Sequence, residues 1–240
     1  MLTAVPLVLP DQPLTIPWQS TVIDVEPGSR YGYANDAASI NTTLAIVNNT
    51  GAVLEFPLLL ATTDPEDVDP SQLSVRVASE TKELEEAELD TEWEAFAQAI
   101  LAQGQAQGHA PERINWYLHK LRSELRQLKK SNPVVLEPGE EKFIRSYQRK
   151  RVKGRDNVYE FRGIFPLPQF ALTVGGTISV AVALPRSTQR FAVDLVDWTR
   201  NYGPQAFGRD PGLPQVAGRH VVSWFWGNDP ELYVSYRYSN

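Results

Sequence analysis

The chain contains no cysteine, which excludes disulfide bridges, thiolate metal sites and thiol nucleophiles together. Histidine is scarce: His109, His119 and His220 stand alone, with no HExxH or HxH pair among them, so the usual entry to a zinc site is missing. Also missing are a GxSxG elbow, a GxxxxGK[ST] phosphate loop and a GxGxxG turn, the short signatures of triad hydrolases, P-loop proteins and dinucleotide binders. No uncharged apolar run reaches the ~18 residues that a membrane-spanning helix needs. Residues 1–10 lack the basic start and long apolar stretch of an export signal. Positive charge is in deficit, 23 Lys and Arg against 29 Asp and Glu for a net charge of -6, which argues against a surface built throughout for phosphate backbones. These absences lead to the expectation of a chain with no metal, no cofactor and no membrane span; they leave the compartment open between the cytosol, which is preferred, and secretion without disulfides.

What is present is enough for one substantial core. A chain of 240 residues buries roughly 70–75% of the surface it exposes when unfolded. Short β-branched and aromatic runs recur between turn residues. Residues 13–18 and 21–25 precede Pro27-Gly28, and residues 42–47 and 52–60 flank Asn48-Asn49-Thr50-Gly51, where Asn and Gly tolerate the positive φ of a tight reversal. The run 56–60 is apolar throughout, which implies burial on both faces or a proline at a bulge or edge. Residues 64–71, with two prolines and three aspartates, read as a loop. The Asn-X-Thr patterns at Asn41 and Asn48 are read as turn chemistry rather than as glycosylation sites.

Residues 90–131 interrupt the strand pattern. Thr91 and Glu94 form a capping-box pair ahead of Trp93, Phe96, Ala97, Ile100 and Leu101 on one helical face. Gly104 and Gly108 break this helix, Pro111 opens a second, and Ile114, Tyr117, Leu118, Leu121, Leu125 and Leu128 recur at three- and four-residue steps, with Lys129 and Lys130 at its C-terminal end. From Val134 the pattern returns to strands: a meander over 134–165, a hairpin about Gly175-Gly176, an ambiguous run at 191–198, a Gly/Pro-rich connection over 201–218, and a terminal hairpin bracketing Gly227-Asn228-Asp229-Pro230. No fixed-period repeat or long linker divides the chain.

Three groups of side chains offer binding chemistry. Arg145, Arg149, Arg151, Lys153 and Arg155 share one face of an extended strand, with Lys150 on the other; they suit an anionic partner, and equally suit an edge strand guarded by charge. Trp224 and Trp226 share a face and suit stacking on a sugar or a protein, or core filling. Asp64, Glu66, Asp67 and Asp69 could supply oxygen to a cation but lack EF-hand spacing. The acidic run from Glu80 to Glu94 reads as a solvated approach to a helix N-terminus. The segment 43–50 followed by Phe56-Pro57-Leu58 resembles the sandwich modules of inter-α-trypsin-inhibitor type over those few residues, and no site is carried over from that resemblance.

The expected fold is mainly β, an antiparallel β-sandwich of Ig-like or jelly-roll-like kind, with an antiparallel α-helical hairpin inserted at 90–131 and a loop-rich extension at 190–240 ending in a β-hairpin, all within one domain. The expected role is that of a non-enzymatic interaction or structural protein, presenting the helices and a basic hairpin to a protein partner or to further copies of itself. A carbohydrate-active hydrolase or glycan-binding protein is the first alternative, since carboxylate pairs leave no spacing signature. Binding of an anionic polymer through the basic hairpin is the second.

Overall fold

The structure is a computed structural model that describes residues 6–7, 14–28, 32–62, 72–106, 108–155, 158–164, 172–186, 188–197, 201–207, 215–226 and 230–238. It is mainly β, with strands in four sheets and two helices. The largest sheet has eight strands. In spatial order they are β17 (Gln215–Val216), β18 (Arg219–Trp226), β14 (Leu172–Ala183), β2 (Leu14–Glu26), β3 (Asp36–Asn48), β11 (Glu141–Val152), β6 (Ser74–Val77) and β7 (Glu80–Lys82). All neighbours are antiparallel except β14 and β2, which run parallel from Thr177↔Trp18 to Ala183↔Asp24.

A second sheet has five strands, β12 (Gly154–Arg155), β13 (Val158–Ile164), β19 (Pro230–Tyr238), β15 (Thr188–Asp197) and β16 (Asn201–Phe207). A third has four, β1 (Pro6–Leu7), β5 (Leu59–Thr62), β9 (Gln127–Ser131) and β8 (Leu84–Ala87). β10 (Val134–Leu136) pairs with β4 (Leu54–Phe56). The helices are α1 (Leu89–Ala106) and α2 (Pro111–Glu124).

Two apolar clusters form the interior. The larger joins the inward residues of the eight-stranded sheet, among them Ile23, Ile40, Leu44, Ile144 and Val180, to Tyr159, Val234 and Tyr236 of the five-stranded sheet. The smaller gathers Phe96 and Ile100 of α1, Ile114, Leu118 and Leu121 of α2, and Leu59, Ala61, Leu125 and Leu128. β5 belongs to both: Leu60 faces the first cluster and Leu59 and Ala61 the second, with all four residues of the strand buried. This is why the run 56–60 is apolar without alternation, and Pro57 sits between β4 and β5, where it interrupts no ladder.

Several expectations are corrected. Helix α2 stops at Glu124, so Leu128, Lys129 and Lys130 lie on β9 and not on a helix ending near residue 131. Leu125 and Leu128 still join the same cluster as Ile114 and Leu121; the apolar spacing continued because the burial target continued, while the backbone of 127–131 was taken by the ladders to β5 and β8. Thr91 is no N-cap: α1 begins at Leu89 and the Thr91 hydroxyl donates to Glu88 at 3.1 Å.

The strands flanking Asn48-Asn49-Thr50-Gly51 do not pair with each other, since β3 pairs with β2 and β11 while β4 pairs with β10. Gly175-Gly176 lies inside one continuous strand, β14, at a register shift between Leu172 and Thr177. The run 191–198 is largely strand, and residues 201–207 form β16 within the expected connection. Among the described residues the expected terminal hairpin does not form: β18 pairs with β14 and β17, whereas β19 pairs with β13 and β15. Turn residues mark where a strand ends; they do not record whether the next strand pairs with it or crosses to another sheet.

Candidate functional site

The outward face of the eight-stranded sheet is open to solvent at its centre, where Val22 of β2 is 47% exposed. Its chemistry follows from pleat and register. On β11 the even positions Ile144, Ser146, Gln148, Lys150 and Val152 are buried, so Phe143, Arg145, Tyr147, Arg149 and Arg151 point outward. The expected separation of Lys150 from the arginine line is therefore present, and Lys150 is 1% exposed on the inner face.

β11 is interior, between β3 and β6, and residues 144–147 have a partner strand on each side. The reading of these arginines as guards of a sheet edge is thus corrected for Arg145. Arg145 stands directly opposite Arg76 of β6. Like charges opposed across a ladder are unfavourable. Among the described residues neither side chain makes an ion pair or hydrogen bond, whereas Lys82 pairs with Glu80, Arg122 with Asp90, Lys129 with Glu86, Lys130 with Glu92, Lys142 with Glu140, Arg149 with Glu26 and Arg219 with Asp24. Arg151 is exposed farther along the face. Lys153 and Arg155 leave it, Lys153 at the end of β11 and Arg155 on β12 in the five-stranded sheet.

Register extends the arginine pair into a row. Thr81 of β7 opposes Arg76, Arg76 opposes Arg145, Arg145 opposes Thr43 of β3, Thr43 opposes Ser20 of β2, and Ser20 opposes Ser179 of β14. The row runs perpendicular to the strands, and at about 4.8 Å per strand it extends about 19 Å from Arg76 to Ser179. Ser179 donates to the Gln19 carbonyl at 3.4 Å, while the Thr43 and Ser20 hydroxyls have no protein partner among the described residues. Aromatic rings flank the row. On one side Trp18 and Phe143 meet with centroids 5.9 Å apart, across Ala45 of β3, itself 0% exposed and paired with Phe143. On the other, Tyr147 lies two residues beyond Arg145, its hydroxyl 3.5 Å from that of Ser39.

Sequence reasoning found Arg145, Arg149 and Arg151 but missed Arg76, Ser20, Thr43, Trp18 and Phe143. Strand alternation reveals a face of one strand, and the partners of that face depend on pairings between segments up to 160 residues apart. The other candidates do not join this site. Trp224 and Trp226 occupy register positions opposite Val180 and Ile178, and their side chains lie outside the described residues, as do Asp64, Glu66, Asp67 and Asp69 entirely. The acidic run is largely engaged within the chain: Glu86 binds Lys129 at 3.1 Å and Gln127 at 2.8 Å, and Glu92 binds Lys130 at 2.6 Å. Among the described residues no three His, Cys, Asp or Glu side chains gather as metal ligands, and no helix is long and apolar enough to cross a membrane.

No family model matches the chain, and no curated protein matches it in sequence. Its fold is similar to that of a protein from Legionella pneumophila provisionally described as a nutrient binding protein, with TM-score 0.56 and 7% identity over 97% of this chain and 70% of that one. An M1 zinc metallopeptidase from Deinococcus radiodurans aligns at TM-score 0.43 and 10% identity, over 93% of this chain and 42% of that one.

Proposed function

We propose that the chain is a non-enzymatic binding module whose working surface is the outward face of the eight-stranded sheet and whose partner is anionic. In this reading the eight- and five-stranded sheets stack as a β-sandwich, and α1 and α2 pair antiparallel as a hairpin packed on β5 and β9, away from the binding face. The observation that carries the reading is the Arg76–Arg145 opposition. In a chain of net charge -6, two exposed arginines opposed across a ladder, neither paired with a carboxylate among the described residues, suit a bound oxyanion, because arginine forks bind carboxylate, sulfate and phosphate with two parallel hydrogen bonds.

Titration of the full chain with a panel of polyanions, at about 50 and 200 mM salt, tests this. Binding that weakens with salt and is abolished in the Arg76→Glu, Arg145→Glu double variant is expected. Absence of binding to every polyanion at low salt overturns the proposal. Folding of the variant is verified by its circular dichroism spectrum, and a folded variant that binds as tightly as the natural chain also overturns it.

A further inference from the structure

We infer that the row Arg76–Arg145–Thr43–Ser20–Ser179 is the binding site of an acidic oligosaccharide, one whose carboxylate or sulfate seats on the arginine pair while its neutral hydroxyl groups follow the hydroxyl row. The inference rests on the reading above and names the class of its anionic partner.

Three features select this ligand among polyanions. First, charge is confined to one end of the row: beyond Arg145 come Thr43, Ser20 and Ser179, with Asn41 and Ser39 of the same face beside them. A nucleic acid presents a phosphate at every unit and favours cations that keep pace with it; this row offers hydroxyls instead. Second, hydroxyls that can both donate and accept match the hydroxyls of a sugar, which do the same. Third, Trp18 with Phe143 on one side and Tyr147 on the other border the row with rings, and aromatic faces are suited to the apolar faces of sugar rings. An acidic polypeptide fits less well, since among the described residues the strip between these rings offers no aromatic or aliphatic anchor of the kind that dominates protein interfaces.

The experiment compares the full chain and four variants, Arg76→Gln, Arg145→Gln, Ser20→Ala and Thr43→Val, by calorimetric titration. The probes are an oligogalacturonate, a heparin-derived oligosaccharide, a neutral dextran oligomer, poly-glutamate and a thymidine oligonucleotide. Expected is binding of at least one acidic glycan, weakened at least about tenfold by either arginine substitution and about threefold by Ser20→Ala or Thr43→Val. The oligonucleotide and poly-glutamate are expected to respond to the arginine substitutions alone. Arg76→Gln and Arg145→Gln each relieve the opposed charges, so their melting temperatures are expected to match or exceed that of the natural chain, separating lost binding from lost folding.

If polyanions bind but Ser20→Ala and Thr43→Val change no glycan affinity, the glycan assignment falls while the anion-binding reading stands. Binding of the oligonucleotide or poly-glutamate more tightly than any glycan has the same result. If no polyanion binds, both fall. Dextran binding that ignores Arg76 and Arg145 overturns the role given to the arginine pair.

Discussion

Asn48 shows how much a single side chain can fix. It is 0% exposed, its amide donates to the carbonyls of Ala52, Leu136 and Glu137 at 2.8, 3.1 and 3.1 Å, and its oxygen accepts from the Thr50 backbone and hydroxyl at 2.9 and 2.7 Å. One amide thus ties the end of β3 to the turns before β4 and after β10. The Asn-X-Thr pattern at 48–50 is turn chemistry as expected, but it ties strands of different sheets together and does not close a hairpin. Asn48→Asp places a carboxylate against three carbonyl oxygens and is expected to cost about 2–4 kcal/mol, read from chemical denaturation. Ala78 is a contrasting residue. It turns the β6–β7 hairpin at φ 53, a left-handed conformation unfavourable for any side chain, so Ala78→Gly is expected to raise stability by about 0.5–1 kcal/mol on the same measurement.

Glu140 adds a pH signature. Its carboxylate accepts from the Glu137 backbone at 2.9 Å, and this bond, with help from Lys142, outweighs partial burial and holds its pKa below the usual glutamate range. A depressed folded-state pKa means stability that is present above the unfolded value and is lost as pH falls through the folded one. Glu140→Gln is therefore expected to be less stable than the natural chain near neutral pH, with the gap closing on acidification. A gap independent of pH over that interval counts against the assignment.

At the level of elements, periodicity was a good guide to burial and a poorer one to backbone state. Five members of the stripe from Ile114 to Leu128 are buried, the Tyr117 side chain lying outside the described residues, yet the last belongs to a strand, because a hydrophobic pattern records which side chains reach a core and is silent on which ladder claims the amides. Lys129 and Lys130 were legible as cations and not as partners: on β9 they stand opposite Glu86 and Glu85 and hold Glu86 and Glu92 instead of capping a helix. Substitution of Ile114 by Ala, at 0% exposure between helix and sheet, is expected to cost about 2–4 kcal/mol in denaturation experiments. Gly154 makes a related point. A Cβ there would lie 2.5 Å from the ring of Tyr159, its cross-strand partner, which stacks on Tyr236 at 5.4 Å. The missing side chain at Gly154 leaves the space that this ring occupies.

Across the whole molecule, the β-rich character was legible from alternation and turn spacing, whereas the assignment of strands to sheets was not. β10, β11 and β12 follow one another in sequence and enter three sheets. The parallel contact of β14 with β2 joins segments about 160 residues apart, with no local signal to announce it. The candidate face inherits that limit: Arg145 could be singled out in the sequence, but its neighbours Arg76, Thr43 and Ser20 come from strands distributed over the first half of the chain.

β5 carries a thermodynamic consequence. Four residues serve as a party wall with a tenant on either side, so neither interior can be vacated without baring the other. Heating should consequently dissolve both in one concerted step, with calorimetric and van't Hoff enthalpies in agreement. Two resolved heat-absorption peaks would mean that the wall can stand with one side empty.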